Sequence, residues 1–139
     1  MSRRSKVLPV DAHRWPVALK PYKDGGDLFR DVTRQTLLGE GEGEEALSFL
    51  TRYFEVAPGG FSSLERHQHP HAVVVVRGRG TVQLGEENFP LGPLDCVYVA
   101  PGEPHQFRAD RGEPLGFLCT VDRDRDRPVA VIRSEEPRE

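Results

Sequence analysis

The chain carries five histidines, and four of them fall in two short windows. The first is His67-Gln68-His69-Pro70-His71, which runs directly into Ala72-Val73-Val74-Val75-Val76. The second closes Pro101-Gly102-Glu103-Pro104-His105. In an extended strand, residues i and i+2 point to the same face. His67 and His69 therefore project side by side and can offer two imidazole nitrogens to one ion at about 2.0–2.1 Å each. If the strand kept its alternation, His71 would share that face. His105 begins a strand just after a Pro-Gly turn, where a barrel mouth could bring it opposite the pair. Three or four imidazoles on an open wall leave coordination positions for water or substrate, and imidazole suits zinc, copper, iron and nickel. Histidines in β-proteins are often ordinary surface residues. His13 has no partner nearby and reads as one of these, a surface or capping residue. A His-x-His pair ahead of a valine run, with a second histidine in a Pro-Gly-x-x-His context, reads as a metal site.

The elements that must hold these residues are short strands. Phe29 to Leu38 and Leu47 to Val56 carry strand-favouring residues, with the second ended by Pro58-Gly59-Gly60 and the two separated by a solvated Gly/Glu-rich loop, Gly39 to Glu45. Phe61 to His69, Ala72 to Arg77, Thr81 to Leu84, Asn88 to Leu91, Leu94 to Ala100, His105 to Arg108 and Leu115 to Val121 follow, and Val129 to Arg133 is a candidate last strand. Gly/Pro turns separate most of them. Many short strands at close spacing mean an all-β sandwich or barrel. Along these strands Phe107 shares parity with His105, either as ordinary core packing or as pocket lining, while Gln106 points away. Val73 and Val75 share parity with His69. Glu65 is in phase with His67, either as an acid or base near the rim or as an ordinary surface carboxylate. Tyr98 and Cys96 share one face. No Ser-His-Asp arrangement, phosphate-cradling glycine loop or Cys-x-x-Cys pair is present.

Around Gly60, His67, His69 and Gly80, and again at Gly102 and His105, the sequence resembles the cupin superfamily. The first cupin motif is Gly, five residues, His-x-His, three or four residues, Glu, six residues, Gly; here the opening glycine stands one place early. The second ends in Pro-x-Gly, two residues, His, three residues, Asn. The resemblance spans roughly residues 47 to 121. It implies a cupin-type double-stranded β-helix, or jelly-roll barrel, and a divalent transition metal (Fe, Ni, Mn, Zn or Cu) held by His67, His69 and His105. It also implies a homodimer. The departures are specific: the glutamate position falls at Val73 or Val74, and Leu94, Ala100 and Ala109 stand where the second motif has Gly, Pro and Asn. Two readings of His71 follow. It replaces the lost carboxylate and completes a four-histidine site of His67, His69, His71 and His105, or Pro70-His71 forms a turn and His71 lies outside the coordination shell. Neutral imidazoles would leave the ion its full charge, favouring an anionic substrate or an activated water. Cupins span many activities. The implied function is a metal-dependent enzyme of dioxygenase or isomerase/decarboxylase type acting on a small oxygen-rich molecule, with no catalytic residue assigned. The alternative is a metal-dependent binding or sensor module without turnover.

Composition sets the frame. A chain of 139 residues, 37% hydrophobic and 29% charged, makes one soluble domain with a self-sufficient core. Its 14 glycines and 12 prolines favour strands and turns over helices. A net charge of −3 with dispersed lysines and arginines gives no nucleic-acid footprint, and no stretch reaches the length of a membrane span. The basic start Ser2-Arg3-Arg4-Ser5-Lys6 is followed by no apolar run, so the expected location is the cytoplasm. There Cys96 and Cys119, each in an apolar run, read as reduced and buried. The domain plan is an irregular N-terminal arm over 1–28, anchored by Trp15, a barrel over 29–133, and a polar, disordered tail over 134–139. Asp122 to Arg127 alternates in sign and reads as a solvated connector.

Overall fold

The computed structural model describes residues 5–23 and 28–131, and among them every regular element is a strand. In chain order these are β1 (Lys20–Pro21), β2 (Arg30–Leu38), β3 (Phe49–Phe61), β4 (Glu65–Arg66), β5 (His71–Arg77), β6 (Gly80–Leu84), β7 (Glu87–Leu91), β8 (Cys96–Val99), β9 (His105–Ala109), β10 (Leu115–Asp122) and β11 (Val129–Ala130). All pair antiparallel in one sheet that curls on itself, with a main path β11-β4-β9-β3-β10-β5-β8. β1 and β2 extend it beside β3, and the β6–β7 hairpin extends it beside β9. The expected polar tail lies outside the described residues. No described helix is long and apolar enough to cross a membrane.

β3 is the spine, and it is longer than its sequence suggests. Pro58-Gly59-Gly60 bends the strand without ending it, because Gly59 takes a positive φ of 76° that glycine adopts at no steric cost. The first part of β3 lies between β2 and β10, and its last residue, Phe61, pairs with Arg30 of β2 and Arg108 of β9. One strand therefore serves both halves of the curled sheet. The segment expected to run as a strand from Phe61 to His69 is instead the end of β3, an irregular step, the two residues of β4, and a turn that delivers His71 to β5.

The inner faces close on Val56, Val75, Val99 and Leu115, all fully buried, with Phe54, Phe107 and Phe117 stacked across one end. The outer side of β3 is also covered. Tyr53 is buried beneath Trp15 of the arm, with ring centroids 5.0 Å apart. Gln35 pins the same segment by accepting from the Trp15 amide and donating to the Trp15 and Val17 carbonyls. The arm thus satisfies backbone groups that would otherwise be orphaned. The Gly39–Glu45 loop is less solvated than expected. Glu44 is buried and accepts from the Gly39 and Gly41 amides at 2.6 and 2.9 Å. Cys119 is buried as expected, but Cys96 is exposed. Alternation along β8 turns Val97 and Val99 inward, leaving Cys96 and Tyr98 on the solvent face.

Gly78 links β5 to β6 at φ 72°, and a Cβ there would lie 1.7 Å from the Pro114 carbonyl oxygen. Gly78→Ala should lower unfolding free energy by about 3 kcal/mol, from left-handed strain plus a backbone clash. Denaturant titration of the two proteins checks this.

Candidate metal centre and pocket

The histidines come from three places that the sheet brings together. His67 and His69 lie on the turn after β4, His71 opens β5, and His105 opens β9. Glu65 of β4 sits directly opposite His105 of β9. The Pro101-Gly102 turn is tied to the first window by a hydrogen bond from the Gly102 amide to the His67 carbonyl, 2.7 Å. All four histidines are buried. The His67 and His69 rings stack in parallel at 3.6 Å, which retains the expected side-by-side projection although neither lies in a regular strand. His71 and His105 stand edge-on to His67, at 4.5 and 4.7 Å between centroids.

Each ring is oriented through Nδ1. His67 Nδ1 donates to the His69 carbonyl at 2.6 Å and His105 Nδ1 to the Glu103 carbonyl at 2.9 Å. His69 Nδ1 donates to the Asp126 carboxylate at 2.9 Å. These partners only accept, so Nδ1 carries the proton and Nε2 presents a lone pair. Burial first, and then neighbouring histidines, pull the His67 pKa down to about 4. Burial likewise holds His71 and His105 below the usual imidazole value. At neutral pH these three rings are uncharged and ready to ligate.

The donor set fits a metal ion. His67, His69 and His71 offer ligand atoms within 4.8 Å of one another, and so do Glu65, His67 and His105, two groups that share His67. His71 Nε2 lies 2.8 Å from His67 Nε2. Two imidazole nitrogens on one ion at right angles would lie about 3 Å apart. Without a cation the contact needs a proton, which falls to His71 because His67 has its proton on Nδ1. His71 Nδ1 then accepts from the Cys119 thiol, 2.8 Å away.

The cavity beside this cluster has a volume of about 340 Å³. Phe54, Phe107 and Phe117 form an apolar wall, Tyr22 and Lys23 of the arm close one side, and Arg34, Arg52 and Arg125 line another. Phe107 both packs in the core and lines the cavity. Glu65 is not a surface carboxylate: it is buried, ion-paired with Lys23 and hydrogen-bonded by Ser63 at 2.9 Å. Burial also raises the Tyr22 hydroxyl well above its usual range.

Several functional candidates give no clear signal in the sequence. Cys119 reads there as a buried small hydrophobe with no spacing to support a metal role, but its register partner on β3 is Arg52, which donates to its sulfur at 3.5 Å. Asp126 was read as part of a solvated connector. Its carboxylate instead accepts from the Gln68 and His69 amides at 2.8 and 3.0 Å as well as from the His69 ring, and these donors hold its pKa well below the usual carboxylate range. Arg125, in the same run, reaches the cavity. Alternating charge carries no signal for either.

This barrel and its inward-facing histidines place the chain in the cupin domain family, whose sequence pattern matches residues 52–121. A curated relative, 1-methylthio-D-xylulose 5-phosphate methylsulfurylase of Rhodospirillum rubrum, is 48% identical over 133 residues, covering 89% of this chain and 83% of that protein. Among solved structures, a cupin 2 conserved barrel domain protein of Rhodopseudomonas palustris superposes with a TM-score of 0.80 at 43% identity, over 90% of this chain and 86% of that one. A cupin-2 domain protein of Rhodospirillum rubrum gives 0.79 at 43% identity, over 95% and 86%.

The depressed histidine pKa values set a pH dependence. The unfolded chain takes up protons on histidine near pH 6.5, whereas folded His67 does so only near 4. Between these values the unfolded state binds more protons, so stability rises with pH across that window and falls on acidification. Thermal unfolding of metal-free protein should show the midpoint dropping from pH 6.5 towards 4, and His67→Gln should flatten the slope.

Proposed function

We propose that the chain is a metal-dependent enzyme that removes a methylsulfur group from a phosphorylated ketose, with the ion held by His67, His69, His71 and His105. The observation that carries this is a buried thiol in the wall of the histidine-lined cavity, Cys119, 2.8 Å from His71 Nδ1. The curated relative's name specifies a methylthio group on the carbon beside a ketone. Cleaving that bond needs somewhere for the electron pair and somewhere for the sulfur. A bound divalent ion supplies a Lewis acid for charge developing on the carbonyl oxygen.

The chain's own groups supply the rest. Cys119 is the nucleophile: its sulfur bonds to the methylthio sulfur as the C–S bond breaks, and the electron pair passes into the carbonyl as an enolate. Protonation at that carbon gives the deoxy ketose. Cys119 is left as a methyl disulfide, which an external thiol reduces. Burial raises the thiol's pKa while Arg52 opposes it, so the group rests protonated, and the proton it gives up is matched by the one the carbon takes; with the ion on His71 Nε2, the ring's Nδ1–H donates to the sulfur. The aromatic wall of Phe54, Phe107 and Phe117 excludes water from the enolate. A thiol poised against the cluster favours this group transfer over the dioxygenase and isomerase chemistries expected of a cupin in general.

Incubation of the metal-loaded protein with 1-methylthio-D-xylulose 5-phosphate and a small thiol, followed by mass spectrometry, should yield the deoxy ketose phosphate and a mixed methyl disulfide. Cys119→Ala should lower the rate by at least about a thousandfold, as for loss of a covalent nucleophile, while retaining metal. Wild-type turnover in that variant would contradict the assignment.

A further inference from the structure

Three arginines, Arg34, Arg52 and Arg125, line the cavity. Across the sheet, β2 pairs Thr36 with Arg52 of β3, and β10 pairs Cys119 with the same Arg52. Arg34 lies two residues from Thr36 and so on the same inward face, one step diagonal to Arg52. Arg125 enters from the connector after β10, its guanidinium donating to the Asp122 and Arg123 carbonyls at 3.1 Å each. All three side chains line the cavity.

This concentration of positive charge has little on the protein to answer it. Arg34 donates to the Thr36 hydroxyl at 3.2 Å, and Arg52 donates to the Cys119 sulfur and lies over the Phe54 ring at 4.9 Å. Arg52 Nε is buried without a hydrogen-bond partner among the described residues. A buried guanidinium N–H left unpaired costs free energy unless a ligand completes it. Among the described residues, the two carboxylates on the cavity wall are Glu40, which is exposed, and Glu65, which Lys23 neutralises. The Arg125 guanidinium is held below its ordinary pKa by lost hydration and by the charges of Arg52 and Arg34, with Glu40 opposing. A cleft lined by one sign of charge focuses its field and concentrates counter-ions, here anions.

We propose that Arg34, Arg52 and Arg125 form the binding site for the phosphate of a phosphomonoester whose other end reaches the histidine cluster. Planar guanidiniums suit a tetrahedral dianion because each can give two parallel N–H bonds. The distance along the wall is short. Arg52 touches Cys119, and Cys119 touches His71, so a phosphate on Arg52 leaves room for only a few carbons before the histidines. That length matches a small sugar phosphate. The inference deepens the proposed function, on which it rests for the phosphorylated substrate.

Isothermal titration calorimetry with D-xylulose 5-phosphate and with D-xylulose separates the phosphate's contribution without requiring turnover. Wild-type protein should bind the phosphorylated sugar at least tenfold more tightly. Arg125→Met and Arg34→Met should each cut that preference by about tenfold, the scale of a charge-assisted hydrogen bond, with unchanged metal content and unfolding midpoint. Arg125 lies in an exposed connector, so its variant keeps the test open even if changes at Arg34 or Arg52 disturb folding. Equal affinity for the two sugars, absence of binding by the phosphorylated one, or full preference in Arg125→Met and Arg34→Met would overturn the proposal. An arginine-dependent preference without methylsulfur transfer would leave the phosphate site standing and remove the reaction. Transfer with an arginine-independent preference would do the reverse.

Discussion

The site depends on where four imidazole protons are. Backbone carbonyls hold Nδ1 of His67 and His105, and a carboxylate holds Nδ1 of His69. Those three contacts fix both the ring planes and the tautomer, so Nε2 lone pairs face the cluster before any ligand arrives. Such convergence is unfavourable in itself. Burial disfavours charge on His67, His71 and His105, and converging lone pairs repel unless a cation or a proton lies between them. The barrel supplies the rigidity that keeps them together. Gly102 ties one histidine window to the other, and β4 pairs Glu65 with His105.

The same contacts explain why His71 and Cys119 belong to one unit. His71 is the ring without a fixed acceptor on Nδ1. Its partner there is a thiol, which can donate or accept. The direction of that hydrogen bond is therefore set by what occupies Nε2. A cation on Nε2 leaves the proton on Nδ1, pointing at sulfur, where Arg52 also donates. The sulfur then receives two hydrogen bonds at once, an environment suited to negative charge. In the proposed reaction, metal site and nucleophile are coupled through this single ring.

Much of this was legible in the sequence because turns and periodicity are local. Gly78-Arg79-Gly80, Gly92-Pro93 and Pro101-Gly102 separate strands where the structure separates them, and the spacing of His67, His69 and His105 marked the cluster. The strand through Pro58-Gly59-Gly60 was not legible, because a glycine bend and a strand end share one local signature. Nor were Arg52, Cys119 and Asp126. Their roles come from pairing across the sheet and from a connector folding back 57 residues onto His69, and alternating charges give no sign of which one will be captured. Glu65 shows a third kind of gap. Its parity with His67 was visible, but its ion pair comes from Lys23, 42 residues earlier in the arm.

The central claim is that the histidines form a metal site. Its most direct test is the metal-to-protein ratio of untagged protein, by inductively coupled plasma mass spectrometry, for wild type and for the paired variant His67→Gln/His105→Gln. Wild type should hold close to one transition-metal ion per chain and the folded variant near zero. A ratio near zero in wild-type protein offered manganese, iron, nickel, copper and zinc, or one unchanged by the double substitution, would contradict it.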